Sequence, residues 1–188
     1  MTCRAVLVLG GARAGKSAFA VARARAAAGE GARVAFIATA QAGDAEMAAR
    51  IARHRAERPP DWATIEAPEA LVPALVDLSG KVDVVVVDCL TVWVANLYGG
   101  AAGEAAREMG DPPGAVLDEA GRLVAVVRSK AYELILVSNE VGWGVHPETA
   151  LGRHFRDALG LVNQMVASAA DEVVLLVAGC PLWLKGAP

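Results

Sequence analysis

The stretch AVLVLGGARAGKSAFA, at residues 5–20, decides the fold of this 188-residue chain. An apolar run at 5–9 leads into two glycines, and an alanine-rich segment begins at residue 16. Residues 10–17, called the phosphate loop below, match the pattern G-x-x-x-x-G-K-S, which carries chemical meaning between a strand and a helix. There, glycines let backbone amides turn inward and hold phosphate oxygens together with the positive end of the helix. This context disfavours the alternative of a glycine-rich turn without a ligand.

Four further apolar runs repeat the strand pattern, at residues 33–39, 82–88, 133–138 and 172–179. They do not alternate with polar residues, which is typical of strands buried on both faces of a parallel sheet. Helices are predicted between the runs, at 16–28, 44–57, 68–78, 115–130 and 150–169. The alternation predicts one α/β domain over 1–188, with a mostly parallel sheet and helices on both faces. The glycine-rich stretch 99–114 is expected to be a mobile surface insertion.

Composition narrows the kinds of protein this can be. The net charge of −3 argues against bulk affinity for nucleic acid. Cys3, Cys89 and Cys180 have no paired or metal-binding spacing, which favours a reducing compartment. The N-terminal segment lacks the features of a signal peptide, and no apolar stretch is long enough to cross a membrane. We therefore expect a cytoplasmic protein with neither a nucleic-acid partner nor a membrane span.

Three residues are candidates for binding a magnesium nucleotide. Lys16 would reach the terminal phosphates, and Ser17 would bind the Mg²⁺ ion. Asp88 ends the run VVVVD, where a carboxylate would hold the metal directly or through water. The alternative for Asp88 is to cap a helix that begins at Leu90. Binding of a nucleoside triphosphate is compatible with a kinase, a motor ATPase or a nucleotide switch, because fold does not determine function.

His54 lies near the end of the predicted helix 44–57. On that helix it shares a face with Met47 and Ile51, which favours a packed, structural histidine. Four arginines are close in sequence: Arg50, Arg53, Arg55 and Arg58. Such a cluster favours an anion such as a triphosphate, and a neutral imidazole can attack phosphorus to form a covalent intermediate. Residue types alone leave both roles open and favour the structural one.

Five segments resemble the bifunctional adenosylcobinamide kinase / adenosylcobinamide-phosphate guanylyltransferase family of cobalamin biosynthesis. They are GGARAGKS (10–17), FIATAQAGDAEMAARIARHRAERPPDW (36–62), VVDCLTVWVANL (86–97), VSNEVGWGVHPE (137–148) and RHFRDALGLVNQMVASAADEVVLLVAG (153–179). The resemblance keeps the same order over about residues 5–185, and the second and fourth segments are more specific than the phosphate loop. It implies a P-loop NTPase fold of the RecA-like type.

The resemblance implies two successive reactions. ATP or GTP phosphorylates the hydroxyl of the aminopropanol arm of adenosylcobinamide. GTP then guanylylates a histidine and releases pyrophosphate, and the phosphorylated corrinoid attacks this adduct to give adenosylcobinamide-GDP. The family's nucleophile falls in the pattern RIxxH, so the role carries over to His54. The resemblance also implies a homo-oligomer, with a trimer expected, and small-molecule substrates as the partners: adenosylcobinamide, GTP and ATP.

The resemblance further implies nucleotide contacts near the carboxyl ends of the strands, where α/β sheets bind ligands. These are Gly10, Gly11, Ala12, Arg13, Ala14, Gly15, Lys16 and Ser17, then Ala38, Thr39 and Ala40, then Arg55, Ala56, Glu57 and Arg58, and finally Glu66 and Asp88. Arg55 and Arg58 could pair with phosphate oxygens. For Glu66, a contact to guanine or ribose and a solvated surface position are equally plausible.

Some positions depart from the family or have no assigned role. Ala14 stands where a serine is common, and we expect a modest effect because backbone amides do most of the binding. Glu140 either orients a water, metal or corrinoid hydroxyl or caps a helix. The group Arg153, His154 and Arg156 is either a solvated helix face or a ligand contact. The alternatives to the bifunctional enzyme are a plain small-molecule kinase without a covalent step and a nucleotide-dependent switch.

Overall fold

The computed structural model describes residues 3–41, 48–49, 51–52, 55, 58–99 and 114–186. Its strands are β1 (Ala5–Gly10), β2 (Val34–Ala38), β3 (Ala63–Glu66), β4 (Val84–Asp88), β5 (Glu133–Val137), β6 (Glu172–Val177) and β7 (Cys180–Lys185). Its helices are α1 (Lys16–Ala27), α2 (Leu71–Asp77), α3 (Leu90–Gly99), α4 (Gly114–Ser129) and α5 (Ala150–Ala169). Residues 48, 49, 51, 52 and 55 are also helical and fall within the helix predicted at 44–57.

The strands form one sheet in the order β3-β2-β4-β5-β1-β6-β7. All pairs are parallel except β6 with β7, which is antiparallel. The five predicted strands are therefore confirmed as neighbours in a mostly parallel sheet. Strand β5 lies between β1, which leads into the phosphate loop, and β4, which ends at Asp88.

The two strands that sequence reasoning missed, β3 and β7, are the edges of this sheet. Each pairs with only one neighbour, and most residues of both strands are half-buried or exposed. Strand β7 also contains Pro181, a residue that sheets accept at edges because it cannot donate a backbone hydrogen bond. Strand β3 has only four residues, and β7 contains a proline, which disfavours a strand in a sequence pattern.

Side chains of successive strand residues enter two different cores, one on each face of the sheet. In β1, Leu7 belongs to the core beneath α2 to α5, and Val8 belongs to the core beneath α1. Helix α1 contributes Ala20 and Ala24, small side chains that let it pack close to the strands. Helices thus cover both faces, as predicted.

The segment CLTVWVANL contributes to the core on one face of the sheet, with Leu90, Trp93, Val94 and Leu97 buried and Ala95 exposed. It forms most of α3, where Trp93 is fully buried and donates its indole N–H to the carbonyl of Glu69 at 3.0 Å. The predicted insertion at 99–114 lies outside the described residues except for its two ends, Gly99 and Gly114. In the described part of the chain, no helix combines the length and apolarity needed to cross a bilayer.

Candidate nucleotide-binding site

The phosphate loop begins at a glycine that no other residue could replace without strain. Gly10 has a φ of +152°, and a Cβ built on it would lie 2.6 Å from the carbonyl oxygen of Leu176 in β6. The Gly10 carbonyl accepts from the backbone N–H of Glu140 at 3.1 Å, and the Ala14 carbonyl accepts from Gly179 at 3.1 Å. The loop is therefore anchored on both sides, by the segments that follow β5 and β6.

The second glycine of the pattern starts the helix. Gly15 has a φ of +96° and is the N-cap of α1, so that Lys16 and Ser17 occupy the first helical positions. The Lys16 side chain is only 8% exposed, and its Nζ donates to the Gly11 carbonyl at 2.7 Å. This contact holds the ammonium group against the loop, where a phosphate oxygen could take the place of the carbonyl.

A cleft of about 350 Å³ opens beside the first turns of α1. Its lining residues are Ser17, Ala18, Val21, Ala22, Arg25, Phe36, Arg58 and Asp88. Three of these, Ser17, Arg58 and Asp88, are sequence-predicted site residues from three separate segments. The parallel topology brings Ser17 and Asp88 together because the carboxyl ends of β1 and β4 lie at the same edge of the sheet. Arg58 precedes β3 in the chain and reaches the cleft over the ring of Phe36 in β2.

Arg58 is held in the cleft by an aromatic ring. Its Cζ lies 3.8 Å from the centroid of the Phe36 ring, within the range of a cation–π contact. Its Nε is buried and has no hydrogen-bond partner among the residues that the structure describes. Burial lowers the pKa of Arg58, and the nearby Arg55 lowers it further, whereas the Asp88 carboxylate raises it. A half-buried guanidinium with an unsatisfied donor is suited to bind an anion.

The oxygen groups in the cleft fit a magnesium ion. Ser17 supplies a hydroxyl and Asp88 a carboxylate, both of which are hard ligands that Mg²⁺ prefers. Among the described residues, no three Asp, Glu, His or Cys side chains form a complete metal-binding group. At nucleotide sites, substrate phosphates and waters usually supply most of the ligands of Mg²⁺.

The predicted turn at Ala38, Thr39 and Ala40 is fastened to the end of β4. The Thr39 side chain is 0% exposed, and its Oγ1 accepts from the Cys89 N–H at 2.9 Å and donates to the Cys89 carbonyl at 2.8 Å. The Asp88–Cys89 peptide bond is cis. The Thr39 hydroxyl thus holds the turn against the end of β4, and the nucleotide contact of the turn stays a prediction.

Sequence reasoning missed Phe36, which lines the cleft, and Asn96, which supports the turn after β2. The Nδ2 of Asn96 donates to the carbonyls of Thr39 at 2.8 Å and Pro68 at 2.9 Å, and so joins the turn after β2 to the segment after β3. A single amide in the apolar helix CLTVWVANL was the available signal. Phe36 gave no signal, because it looks like any other core residue of β2.

Two predicted contacts lie at the exposed rim. The nearest nitrogen of Arg55 is 4.0 Å from a carboxylate oxygen of Glu66, and the two side chains are 65% and 69% exposed. Such an exposed pair contributes little to stability, so both side chains are available to a ligand. Glu66 ends β3 directly beside Ala38 of β2, and its contact to guanine or ribose stays a prediction. His54, Ala56 and Glu57 lie outside the described residues.

Glu140 does not cap a helix. The N-cap of α5 is Thr149, whose hydroxyl accepts from the Gly152 N–H, while Glu140 accepts from the N–H of Gly142. Arg153 donates to the carbonyls of Pro147 and Glu148. These contacts tie the loop that follows β5 to the start of α5.

Solved structures with a similar fold were found. The flagellar accessory protein FlaH from Methanocaldococcus jannaschii matches with a TM-score of 0.54 and 13% identity, over 97% of this chain and 78% of that one. A KaiC-like protein from Pyrococcus horikoshii matches with a TM-score of 0.51 and 13% identity, over 92% of this chain and 70% of that one. At this identity the likeness shows the fold alone, and it agrees with the predicted fold class, a mostly parallel sheet with helices on both faces.

Sequence comparison identifies much nearer relatives. The bifunctional adenosylcobalamin biosynthesis protein CobP of Pseudomonas aeruginosa is 42% identical over 97% of this chain and 98% of its own length. CobU of Salmonella typhimurium, which has the same description, is 41% identical over 96% of this chain and 99% of its own length. The family model described as cobinamide kinase / cobinamide phosphate guanyltransferase matches residues 6–184. The chain therefore belongs to the cobinamide kinase / cobinamide phosphate guanylyltransferase family.

Proposed function

We propose that this chain phosphorylates adenosylcobinamide with ATP or GTP and then transfers GMP from GTP, through His54, to give adenosylcobinamide-GDP. The observation that carries the proposal is the convergence of Ser17, Arg58 and Asp88 on one cleft beside the phosphate loop, in a chain of this family. That cleft combines cationic and metal-binding groups, and both reactions require them because both develop charge on phosphate oxygens.

In the kinase step, the protein positions the reactants and stabilises charge. The acceptor hydroxyl oxygen forms a bond to the γ-phosphorus, the bridging P–O bond breaks, and the nucleoside diphosphate leaves while the hydroxyl proton is released. Lys16 and Arg58 would stabilise the charge on the transferred group. When bound to Ser17 and Asp88, Mg²⁺ would neutralise charge on the terminal phosphates.

In the guanylyl step, the His54 imidazole forms a bond to the α-phosphorus of GTP, and pyrophosphate leaves. A phosphate oxygen of the phosphorylated corrinoid then attacks the same phosphorus and frees His54. An imidazole is suited to this role because it is largely neutral near pH 7 and divides one difficult displacement into two easier ones. The position of Arg58, four residues after His54 and within the cleft, supports this assignment.

The test is intact-protein mass spectrometry after incubation with magnesium and GTP labelled at the α-phosphate. We expect an acid-labile guanylyl adduct on the wild type and none on His54→Ala. The matched control is His154→Ala, because His154 is exposed on α5 and should leave the adduct unchanged. An adduct on His54→Ala would remove His54 from the mechanism. If the wild type phosphorylates adenosylcobinamide but forms no adduct, the protein is a kinase without a guanylyl-histidine step.

We also propose that the chain forms a homo-oligomer, with a trimer expected, and works in the cytoplasm. Large apolar side chains on the surface support association: Trp143 is 75% and Val145 is 97% exposed. The absence of disulfides among Cys3, Cys89 and Cys180 is consistent with a reducing compartment. Light scattering at several protein concentrations tests the oligomeric state, and a monomeric mass throughout would refute it.

A further inference from the structure

A second cavity lies on the face of the sheet opposite the cleft beside α1. It has a volume of about 380 Å³, and we call it the α5 groove because one side of α5 lines it, together with Leu9 of β1, Leu184 of β7 and Glu140 after β5. Leu9 belongs to the core beneath α2 to α5, whereas Phe36 of the cleft belongs to the core beneath α1. The two cavities share no described lining residue, so each can bind a ligand of its own.

The α5 groove adjoins the phosphate loop. Leu9 immediately precedes the loop in the chain, and the backbone N–H of Glu140 donates to the Gly10 carbonyl at 3.1 Å. The volume is at the lower end of the range for small-molecule pockets. A substrate larger than the groove would therefore place one substituent in it and keep the rest of the molecule outside.

Asn163 lines the α5 groove and has an unsatisfied acceptor. The residue is only 5% exposed, and its Nδ2 donates to the Asn139 carbonyl at 3.1 Å. That bond fixes the orientation of the amide, because a flipped amide would place an oxygen against the carbonyl. The buried Oδ1 has no hydrogen-bond partner among the residues that the structure describes. Since a buried acceptor without a partner is unfavourable, this oxygen points to a ligand that donates an N–H or O–H group.

The neighbouring polar side chains specify this ligand further. Glu140 accepts from the Gly142 N–H at 3.1 Å, and its carboxylate can accept further hydrogen bonds while it repels an anion. Gln164, exposed on α5, adds an amide that both donates and accepts. Lys185 also lines the groove, but its Nζ donates to three backbone carbonyls at the carboxyl end of α5. The lining therefore favours a neutral ligand that has both N–H groups and a carbonyl.

We infer that the α5 groove binds a primary carboxamide of the acceptor substrate. The two N–H groups of such an amide match the Oδ1 of Asn163 and the carboxylate of Glu140, and its carbonyl matches the side-chain N–H groups of Gln164. Leu9 and Leu184 provide an apolar surface for the carbon chain that carries the amide. The corrin ring of cobinamide carries amide-bearing chains on its periphery. The inference thus names a contact to the substrate of the proposed function, and it rests on that function.

Gly160→Leu tests the inference because it fills the α5 groove from α5. Gly160 lines the groove, and a Cβ built on it meets no atom within 4 Å beyond the backbone of its own helix. The matched control is Gly121→Leu on α4, where a Cβ is equally unobstructed but lies away from the groove. Both substitutions replace a helical glycine with a better helix former, so both proteins should stay folded. Gln164→Met is a second variant, which keeps a long side chain and removes its amide.

Equilibrium dialysis measures the Kd of adenosylcobinamide and, separately, the Kd of GTP for each protein. We expect Gly160→Leu to raise the corrinoid Kd about tenfold and Gln164→Met about threefold, whereas Gly121→Leu and every GTP Kd should stay within about twofold of wild type. A second probe is adenosylcobinamide whose peripheral carboxamides have been hydrolysed to carboxylates. It should bind the wild type about tenfold more weakly, because it lacks the N–H donors and meets Glu140, and Gly160→Leu should weaken it little further.

An unchanged corrinoid Kd in Gly160→Leu would overturn the inference and leave the kinase function intact. If Gly160→Leu weakens both corrinoids equally, the groove does not recognise the amides, and the inference is wrong. A smaller oligomer for Gly160→Leu than for the wild type, measured by light scattering, would overturn it by assigning the groove to a second copy of the chain. A wild type that neither binds nor phosphorylates adenosylcobinamide would refute the proposed function, and the inference with it.

Discussion

The guanidinium of Arg58 lies over the ring of Phe36, with its Cζ 3.8 Å from the ring centroid. Phe36 is a buried strand residue, and Arg58 follows a segment that is only partly described. The contact fixes a cation at the cleft that also contains Ser17 and Asp88. The contact therefore links a core residue of the sheet to the residues that are proposed to bind phosphate and magnesium.

Arg58→Lys should weaken nucleotide binding by about tenfold. Lysine can neither stack a planar group on Phe36 nor present a forked set of donors, and together these interactions should contribute about 1–2 kcal/mol to binding. Titration of the nucleotide by calorimetry measures the effect. The control is Arg33→Lys, where the side chain is exposed and pairs with Asp83 away from the cleft. Wild-type affinity in Arg58→Lys would show that the stacked guanidinium does not contact the nucleotide.

Thr39→Val should destabilise the fold by about 2 kcal/mol, because the buried Cys89 N–H would lose its partner and the Cys89 carbonyl would keep only the Trp93 N–H. Thr39→Ser keeps the hydroxyl and should cost clearly less. Urea unfolding of the two variants, side by side, measures the difference in the free energy of unfolding. Equal stability of the two variants would mean that the hydroxyl does not hold the turn.

Gly10→Ala should destabilise the protein by about 1–3 kcal/mol, because the new Cβ would clash with the Leu176 carbonyl at a positive φ. Gly11→Ala is the matched variant, since a Cβ there meets no atom within 4 Å. Thermal unfolding of both should show a lower Tm for Gly10→Ala only. A similar Tm for the two variants would contradict the close approach between β1 and β6.

Acid unfolding should depend on Asp171. Burial alone would raise the pKa of Asp171, but hydrogen bonds from Lys130 and from the Ala5 N–H outweigh it, and the pKa is lowered. A lowered pKa stabilises the fold above the ordinary aspartate value of about pH 4, and this contribution is lost as the pH falls through the lowered pKa. Asp171→Asn should therefore flatten the decline in stability below about pH 4.

The decline is measured by urea unfolding at a series of pH values. Lys130→Gln should reproduce part of the flattening, because it removes one of the two hydrogen bonds that lower the pKa of Asp171. A decline in Asp171→Asn as steep as in the wild type would show that this carboxyl does not link stability to pH.

Cys89 should resist alkylation in the native protein. Burial, with a smaller effect from the Asp88 carboxylate, raises the pKa of its thiol to about 11, so little thiolate forms at pH 8. Cys180 is exposed and should react with iodoacetamide first. Mass spectrometry of peptides after brief treatment measures both sites, with urea-unfolded protein as the reference for full reaction. Equal labelling of the two cysteines in the native protein would show that the Cys89 thiol, at the end of β4, is accessible to the reagent.

The inner strands and the phosphate loop could be predicted because their signals are local. Residues 5–20 contain a strand, a turn that needs glycine and the start of a helix, and the structure has all three. Asp88 could be placed in the same way, as the polar end of an apolar run. The edge strands β3 and β7 escaped prediction because β3 is only four residues long and β7 contains Pro181, which disfavours a strand in a sequence pattern.

By itself, the sequence determined the parallel sheet, the glycine-dependent loop and the family, since these depend on residue types at short, regular spacing. Only the tertiary structure decided that Arg58 stacks on Phe36 and that Asn96 joins two turns. It also decided that side chains of α1 line the cleft that contains Ser17 and Asp88. The physical reason is that these contacts join strands and helices far apart in the chain. Their distances depend on how the whole sheet is ordered, which no local pattern encodes.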